Sequence, residues 1–356
     1  MPKTPVGYLK KNILTLLPSY FALVMATGIV SMAADIFELT FFEKALFYFN
    51  IAAYGVLLIM LGLRIIFYIP RVKRDLFDSS RSFGFLTLVA ATAILGQQFI
   101  VFEENYAVAK ILFYVAFFLW VVLIYLLFTI IAINKEKLSL GKGMNAIWLL
   151  IVVATAAVSI LGTDLANHLP ISKEVVLFTS LLLFLVGCLM YVILITLIFY
   201  RLAFFPLHAA QFAPAYWINM GAVAILTLAG ADLLKQGYSW GFLASIKHFI
   251  TGFVLLFWAM GTWWIPLIII LGGWRILKKV KPISYQAQYW GMVFPLGMYT
   301  VSTYRLSQAS NIDFLVNIPK VFVYFAVLAW VITFLGLLLN ILYGFFGKYL
   351  PKKIPH

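Results

Sequence analysis

Two of the long apolar stretches in this chain end almost identically, one with Ile160-Leu-Gly-Thr-Asp164 and the other with Leu228-Ala-Gly-Ala-Asp232. Three more stretches end in the same register, with Ser31-Met-Ala-Ala-Asp35, Ile94-Leu-Gly-Gln-Gln98 and Val301-Ser-Thr-Tyr-Arg305. The five belong to alternate members of a series of ten. A polar residue occupies the equivalent position at the end of all five stretches. This repetition predicts five helical hairpins in a pseudo-five-fold arrangement around one axis. Equivalent helices around an axis can line a central pore, which indicates a channel or transporter.

The composition predicts an all-α integral membrane protein. The chain is 64% hydrophobic and 11% charged, and its mean hydropathy is +1.03, which a soluble domain of this size does not reach. A bilayer core about 30 Å thick requires roughly 20 apolar residues per helix. Ten transmembrane helices are predicted, at about 18–37, 45–69, 83–101, 107–132, 146–163, 174–200, 214–234, 243–270, 285–305 and 319–346.

The distribution of charge predicts the orientation. The basic runs Arg71-Val-Lys-Arg74 and Lys278-Lys-Val-Lys281 follow even-numbered helices, whereas most acidic residues lie at the opposite ends. By the positive-inside rule both termini are cytoplasmic, in the cell (inner) membrane. This gives a cytoplasmic N-terminal segment (1–17), a ten-helix pore domain (18–347) and a cytoplasmic C-terminal tail (348–356). The net charge of +14 is explained by the membrane topology, so we expect no nucleic-acid partner. The expected partner is the lipid bilayer.

Enzymatic and cofactor signals are lacking in the sequence. Cys188 is the single cysteine, and the four histidines have no metal-ligand spacing. Gly141-Lys-Gly143 has no Walker sequence around it. We therefore expect no metal, no cofactor and no enzyme activity; a membrane enzyme or electron-transfer subunit is a remote alternative that would need clustered ligands.

The odd-numbered helices contain many small residues, as in Ala26-Thr-Gly28 and Gly221-Ala-Val-Ala224. Small residues allow close packing of membrane helices, and they also leave open space along a pore. For a single helix, packing is the better explanation. Because all five helices share the register, the pore interpretation is preferred for the set.

Pro295 lies in the middle of the ninth helix, between Gly291 and Gly297. A proline there removes a backbone hydrogen bond and predicts a kink. Phe294, just before it, is eleven residues from Arg305, so the two share a helix face on the order of 16 Å apart. The same step places Val24, Thr87, Val153 and Gly221 at the level of Phe294. One large ring among small side chains predicts a hydrophobic gate; the alternative is that Phe294 only fills space between helices.

Three motifs resemble the tellurite-resistance/dicarboxylate transporter family, which includes TehA-like proteins, slow-type anion channels and malate and sulfite transporters. They are Pro18-Ser-Tyr-Phe-Ala-Leu-Val-Met-Ala-Thr-Gly28, Thr262-Trp-Trp-Ile-Pro266 and Tyr289-Trp-Gly-Met-Val-Phe-Pro-Leu-Gly297. The last of these is closest to the malate/sulfite branch. The resemblance implies a homotrimer whose subunits each have a pore closed by a Phe on the ninth helix, and Phe294 is the matching position.

The resemblance also implies small anions as cargo. We expect C4-dicarboxylates such as malate; the alternative is a gated channel or exporter for sulfite, chloride or nitrate. Passive and proton-coupled movement both remain open. The predicted pore-lining residues, besides the gate residues Phe294 and Pro295, are Val24, Thr27, Gly28, Thr87, Val153, Asn219, Gly221, Gly297 and Met298.

An outer polar ring is predicted from Asp35, Gln98, Asp164, Asp232 and Arg305. Charged residues inside a membrane are functional candidates because they are costly there. Arg305 would attract anions, but three aspartates around it would repel them. Either crowded carboxylates carry protons and couple them to anion uptake, or Arg305 pairs with one Asp and the others are structural caps. We favour the second account.

Overall fold

The computed structural model describes residues 5–135, 137, 139–237, 240–278 and 285–346, and every regular element in these ranges is a helix. The predicted all-α class is therefore confirmed, while the predicted tail at 348–356 lies outside the described residues. The α-helices are α1 (Pro5–Leu14), α2 (Ala22–Ile36), α3 (Thr40–Phe77), α4 (Leu86–Glu103), α5 (Tyr106–Ile133), α6 (Leu140–Gly143), α7 (Leu150–Asp164), α8 (Lys173–Phe204), α9 (Ile218–Gln236), α10 (Gly241–Ser245), α11 (Lys247–Leu277), α12 (Trp290–Ser310) and α13 (Asn317–Phe346).

Nine helices in the described part of the chain are long and apolar enough to cross a membrane. They correspond to nine of the ten predicted spans. The remaining one corresponds to α12, which has 21 residues. Its Ser, Thr, Tyr, Gln and Arg side chains lower its hydropathy, so length and composition alone do not establish that it crosses.

Five helices form a closed ring of contacts, in the order α2, α4, α7, α9, α12 and back to α2. We call these the inner helices. Each also packs against the long helix that follows it in the chain, namely α3, α5, α8, α11 or α13, which we call the outer helices. Four of the inner helices belong to spans that are 78–89% buried, against 17–50% for the outer ones, and most of α12 is buried too. The inner helices, which are rich in small residues, thus lie in the closely packed interior. The outer helices face outward.

The inner helices all begin in the same way. A short 3-10 turn precedes each, and the five turns contact one another in the same cyclic order as the helices. The five helices therefore start at one end of the ring and run in the same direction. The turns are Pro18–Phe21, Ser82–Phe85, Ala146–Leu149, Pro214–Trp217 and Ala287–Tyr289. Pro18 and Pro214 open two of them, where a proline sacrifices no helical hydrogen bond.

A repeated hydrogen bond ties each outer helix to the next inner helix around the ring. In every case an aromatic side chain of the outer helix bonds an oxygen atom of the inner one. The last bond joins α13 to α2 and so connects the two ends of the chain. The pairs are Tyr54 with Thr92 (2.7 Å), Trp120 with Thr155 (2.8 Å), Tyr191 with the Asn219 carbonyl (3.4 Å), Trp258 with Thr303 (3.0 Å) and Trp330 with Thr27 (3.0 Å).

Two local features differ from the sequence-based expectation. The predicted N-terminal segment 1–17 contains a helix, α1, which packs against α3 and α13. The long helix α3 is interrupted at Tyr68 (φ −136°, ψ 35°), just ahead of Pro70, because a proline disfavours helical geometry in the turn before it. Pro295, where the kink was predicted, lies inside α12, which continues as one helix through it.

Candidate transport pathway

A cavity of about 480 Å³ lies at the end of the ring where the inner helices begin. We call it the vestibule. In the described part of the chain its lining contains two arginines and several amides, but no Asp or Glu. The lining residues are Leu17, Pro18, Ser19, Ser80, Arg81, Gly84, Met144, Asn145, Ala146, Ile147, Arg201, Gln211, Ala213, Ala215, Tyr216 and Gln288. The lining is therefore cationic and polar.

A much smaller cavity, about 30 Å³, adjoins the vestibule and shares four of its lining residues. We call it the neck. Every inner helix contributes to its wall: Met25 from α2, Thr87 from α4, Leu150 from α7, Ile218 from α9, and Gly291 and Phe294 from α12. The neck therefore lies inside the ring. A volume of about 30 Å³ leaves room for very few water molecules, so far less space is open beside Phe294 than in the vestibule.

Phe294 is buried, with 2% of its surface exposed, and it does not close the neck alone. Met25, Leu150 and Ile218 are large apolar side chains that line the same cavity. Of the residues predicted at its level, Thr87 lines the neck, whereas Val24, Val153 and Gly221 do not. The prediction counted eleven residues back from the polar residue at the far end of each helix. Over that distance a small difference in helix rotation is enough to turn a neighbouring residue toward the neck instead of the predicted one.

Three glycines predicted to line the pore lie at contacts between helices. A Cβ atom added to Gly28 would lie 2.5 Å from Ile94 of α4, and one added to Gly221 would lie 2.7 Å from Pro295. At Gly297 the nearest atom, 2.9 Å away, belongs to Ile29 of α2. At these positions the packing explanation describes the structure better than the pore explanation.

Thr27 accepts a hydrogen bond from Trp330 of α13, so its hydroxyl is directed toward an outer helix. Val24, Val153 and Met298 are fully buried and none of them lines the neck. Asn219 is also fully buried, and neither its amide oxygen nor its amide nitrogen has a hydrogen-bond partner among the described residues. An unsatisfied buried amide is uncommon, which makes Asn219 the strongest polar candidate deep inside the protein.

The structure brings together most of the predicted outer polar ring at the far end of the inner helices, opposite the vestibule. Electrostatic interactions connect Arg305 with Asp35, Asp164 and Asp232. Lys235, which the prediction omitted, interacts with the same group. No ion pair joins Arg305 directly to a carboxylate in the part of the chain that the structure describes. The cluster is a loose mixture of three carboxyl groups and two cationic side chains.

Gln98 lies apart from this cluster. Its side chain accepts a hydrogen bond from Asn50 (2.7 Å) and donates one to Ser31 (3.0 Å), between α2, α3 and α4. The preceding residue, Gln97, interacts with Asp164 instead. Successive residues of a helix differ by about 100° in direction, so the equivalent position in α4 is one residue earlier than the motif suggested.

Sequence analysis did not identify Arg201, Met25, Leu150 or Ile218 as pathway residues. Arg201 is one of 26 Lys and Arg residues in the chain, and no motif sets it apart from the others. The three apolar residues are indistinguishable by type from the many others in the chain. Only the spatial convergence of the five inner helices singles them out.

Fold and site together define a multi-span helical membrane protein in which five inner helices surround a narrow cavity with a cationic mouth. The sequence profile of the SLAC1 family, described as voltage-dependent anion channels, matches residues 15–338. The chain belongs to this family, as its resemblance to the wider tellurite-resistance/dicarboxylate transporter group predicted. Its class is therefore that of an anion transporter or channel.

Several relatives carry compatible descriptions. Two uncharacterized transporters of Methanocaldococcus jannaschii are each 26% identical to this chain; one alignment covers 88% of this chain and 92% of the relative, and the other 84% and 86%. An uncharacterized membrane protein of Mycobacterium tuberculosis is 35% identical over 42% of this chain and 75% of its own length. All three descriptions agree with a membrane location, and two of them with transport.

Proposed function

We propose that this chain moves small anions, chiefly C4-dicarboxylates such as malate, along the axis of the inner ring, and that Phe294 and Pro295 form the gate. One observation carries the proposal: the space inside the ring narrows from about 480 Å³ to about 30 Å³ where all five inner helices meet Phe294. Family membership supports an anion as the cargo.

The proposed gate works by excluding water. A constriction lined by Phe294, Met25, Leu150 and Ile218 cannot replace the water that an anion must give up, so it is a barrier while closed. Pro295 has no N–H to donate to the preceding turn, which makes α12 easier to bend there. A change in the bend of α12 would move Phe294 relative to the other three side chains and widen the neck.

The charge at the vestibule supports an anionic cargo. Arg81 and Arg201 line it, and five helices begin beside it, with the positive ends of their dipoles toward it. The preference for malate over chloride or nitrate rests on the Trp290-to-Gly297 motif, which resembles the malate/sulfite branch. The far-end cluster of Asp35, Asp164, Asp232, Lys235 and Arg305 could bind protons that accompany the anion.

Assembly as a homotrimer in the inner membrane, with the vestibule facing the cytoplasm, completes the proposal. The family resemblance suggests the trimer, and the basic runs suggest the orientation. Native mass spectrometry of the protein in detergent, together with labelling of single cysteines from either side of the membrane, tests both points. A monomer, or a vestibule accessible only from outside, would contradict them.

The main test compares anion flux into proteoliposomes for the wild type, Phe294→Ala and Phe184→Ala. Phe184 is an equally buried phenylalanine in α8 that does not line the neck, so its variant controls for the loss of a core ring. Taking even a neutral polar group out of water costs about 2–7 kcal/mol, and taking a charged group out costs more. Recovering about 2 kcal/mol of this by opening the neck would raise flux about thirtyfold.

Malate, sulfite, nitrate and chloride are compared in the same assay at several pH values. A large increase for Phe294→Ala alone supports the gate, and the order of the four anions identifies the cargo. If flux depends on an imposed pH gradient, proton coupling through the far-end cluster is supported. Equal flux in wild type and Phe294→Ala refutes the gate.

A further inference from the structure

Arg201 is the most unusual charged residue of the vestibule. It lies in the last turn of the outer helix α8, yet its side chain lines the vestibule and only 7% of its surface is exposed. The guanidinium Nε donates to the Gly141 carbonyl (3.0 Å), and a terminal nitrogen donates to the Tyr216 hydroxyl (2.7 Å). These two bonds fix the position of the charged group.

Among the described residues, no carboxylate forms an ion pair with Arg201. The ion pairs in the described part of the chain join Arg64 to Asp75 and Arg81 to Asp75 and Asp78. Arg81, the other arginine of the vestibule, is therefore already paired and its side chain is half exposed. A buried cation without a partner is costly, so an anion that enters the vestibule gains a partner there without displacing one.

The neighbouring groups suit an oxyanion. With Nε and one terminal nitrogen engaged by the protein, the guanidinium has further N–H donors, and its planar shape matches carboxylates and similar oxyanions better than a halide. Amides of Asn145, Gln211 and Gln288 line the same cavity and offer additional donors. Asn219, three residues after Tyr216 in the chain, has a buried amide without a hydrogen-bond partner among the described residues.

We infer that the vestibule is a docking site for small carboxylates and related oxyanions, built on Arg201 and positioned by Tyr216. This deepens the proposed transport function, on which it rests. Because the described vestibule lining holds no Asp or Glu, whereas Asp35, Asp164 and Asp232 lie at the far end, anions load into the ring from the vestibule end. The site selects oxyanions before they reach the neck.

The test measures currents through the Phe294→Ala protein in planar bilayers, with malate added to one face at a time. Arg201→Gln, Arg201→Lys and Tyr216→Phe are introduced into this background. Arg71→Gln is the matched control, since Arg71 is an exposed arginine at the same end of the protein that does not line the vestibule. Chloride currents are recorded in parallel.

Loss of a hydrogen bond to a charged group corresponds to a change of about tenfold or more in binding. We expect Arg201→Gln to raise the half-saturating malate concentration at the vestibule face by about this factor, more than it lowers the maximal current. Arg201→Lys keeps the charge but loses the planar donor pair, so it should reduce the preference for malate over chloride. Tyr216→Phe should have a smaller effect of the same sign, and Arg71→Gln none.

Thermal unfolding of the detergent-solubilised chain gives a readout that needs no transport. Malate should stabilise the wild-type chain and not Arg201→Gln; if the latter does not fold, Arg201→Lys and Tyr216→Phe decide. The docking proposal is overturned if these variants have the same half-saturating malate concentration and the same stabilisation by malate as Arg71→Gln. This holds even when the Phe294→Ala protein conducts malate. If Phe294→Ala carries no current but malate stabilises the wild type alone, docking stands and the proposed function fails.

Discussion

Gly221 is a point at which the ring is sensitive to an added methyl group, because the nearest atoms belong to a proline ring. It lies on α9 where that helix meets the gate segment of α12. A Cβ atom at Gly221 would lie 2.7 Å from Cγ, 3.1 Å from Cβ and 3.4 Å from Cα of Pro295. The proline ring cannot rotate away, because its Cγ is bonded through Cδ to its own backbone nitrogen. Gly221→Ala therefore has to move one of the two backbones.

The size of the effect follows from these distances. Ordinary contact begins at about 3.4 Å, so α9 and α12 must separate by several tenths of an ångström at this level. Overpacking of this kind costs about 1–3 kcal/mol, opposed by a gain of at most about 1 kcal/mol from replacing a helical glycine with alanine. We expect a net loss of about 1–2 kcal/mol and a lower midpoint of thermal unfolding in detergent.

Gly252→Ala is the matched control. Gly252 lies in α11, also within a helix, and a Cβ atom there would meet nothing within 4 Å. The control should be as stable as the wild type or slightly more stable, since only the helix-propensity gain applies. If Gly221→Ala unfolds at the same temperature as Gly252→Ala, the close approach of α9 and α12 at Pro295 is wrong.

Two further predictions concern charged residues. Asp75→Asn removes the partner of Arg64, whose side chain is 4% exposed, and breaking a buried pair costs about 3–5 kcal/mol. The control Asp78→Asn changes a 3.6 Å contact with the exposed Arg81 and should cost at most about 1 kcal/mol. Equal unfolding midpoints of the two variants would refute this difference. Arg305→Gln removes one of the two cations of the far-end cluster and leaves Lys235. A unit charge about 8 Å away contributes about 0.5–2 kcal/mol, so malate flux in the Phe294→Ala background should fall at least about twofold, less so in high salt. Unchanged flux at low salt would contradict this.

The membrane class and the helices were predictable from the sequence. Long apolar stretches have to be helical in a bilayer, because every backbone polar group must bond within its own segment. The structure places α4 at Leu86–Glu103 and α7 at Leu150–Asp164, close to the predicted spans 83–101 and 146–163. The repeated motif also identified which five helices form the inner ring, because small residues permit crowding where large ones do not.

The direction in which each inner side chain points was decided only by the tertiary structure. An inner helix is buried on all sides, so it has no polar face from which its rotation could be inferred. An error of one residue turns a side chain by about 100°, which is why Gln97 and not Gln98 interacts with Asp164, and why Thr27 bonds Trp330 of an outer helix. Glycine cannot reveal whether it borders open space or a neighbouring helix, so Gly28, Gly221 and Gly297 were ambiguous.

The vestibule likewise could not be predicted from the sequence. Arg201 is separated in the chain from Gly141 and Tyr216, which its side chain contacts, and only the folded structure shows that no described carboxylate pairs with it. What the sequence determined by itself is the set of membrane helices, their alternation between inner and outer positions and the family, because these depend on local composition and repeated pattern. The narrowing at Phe294, its shared closure with Met25, Leu150 and Ile218, and the cationic mouth depend on how five separate helices are rotated against each other, and packing alone fixes that.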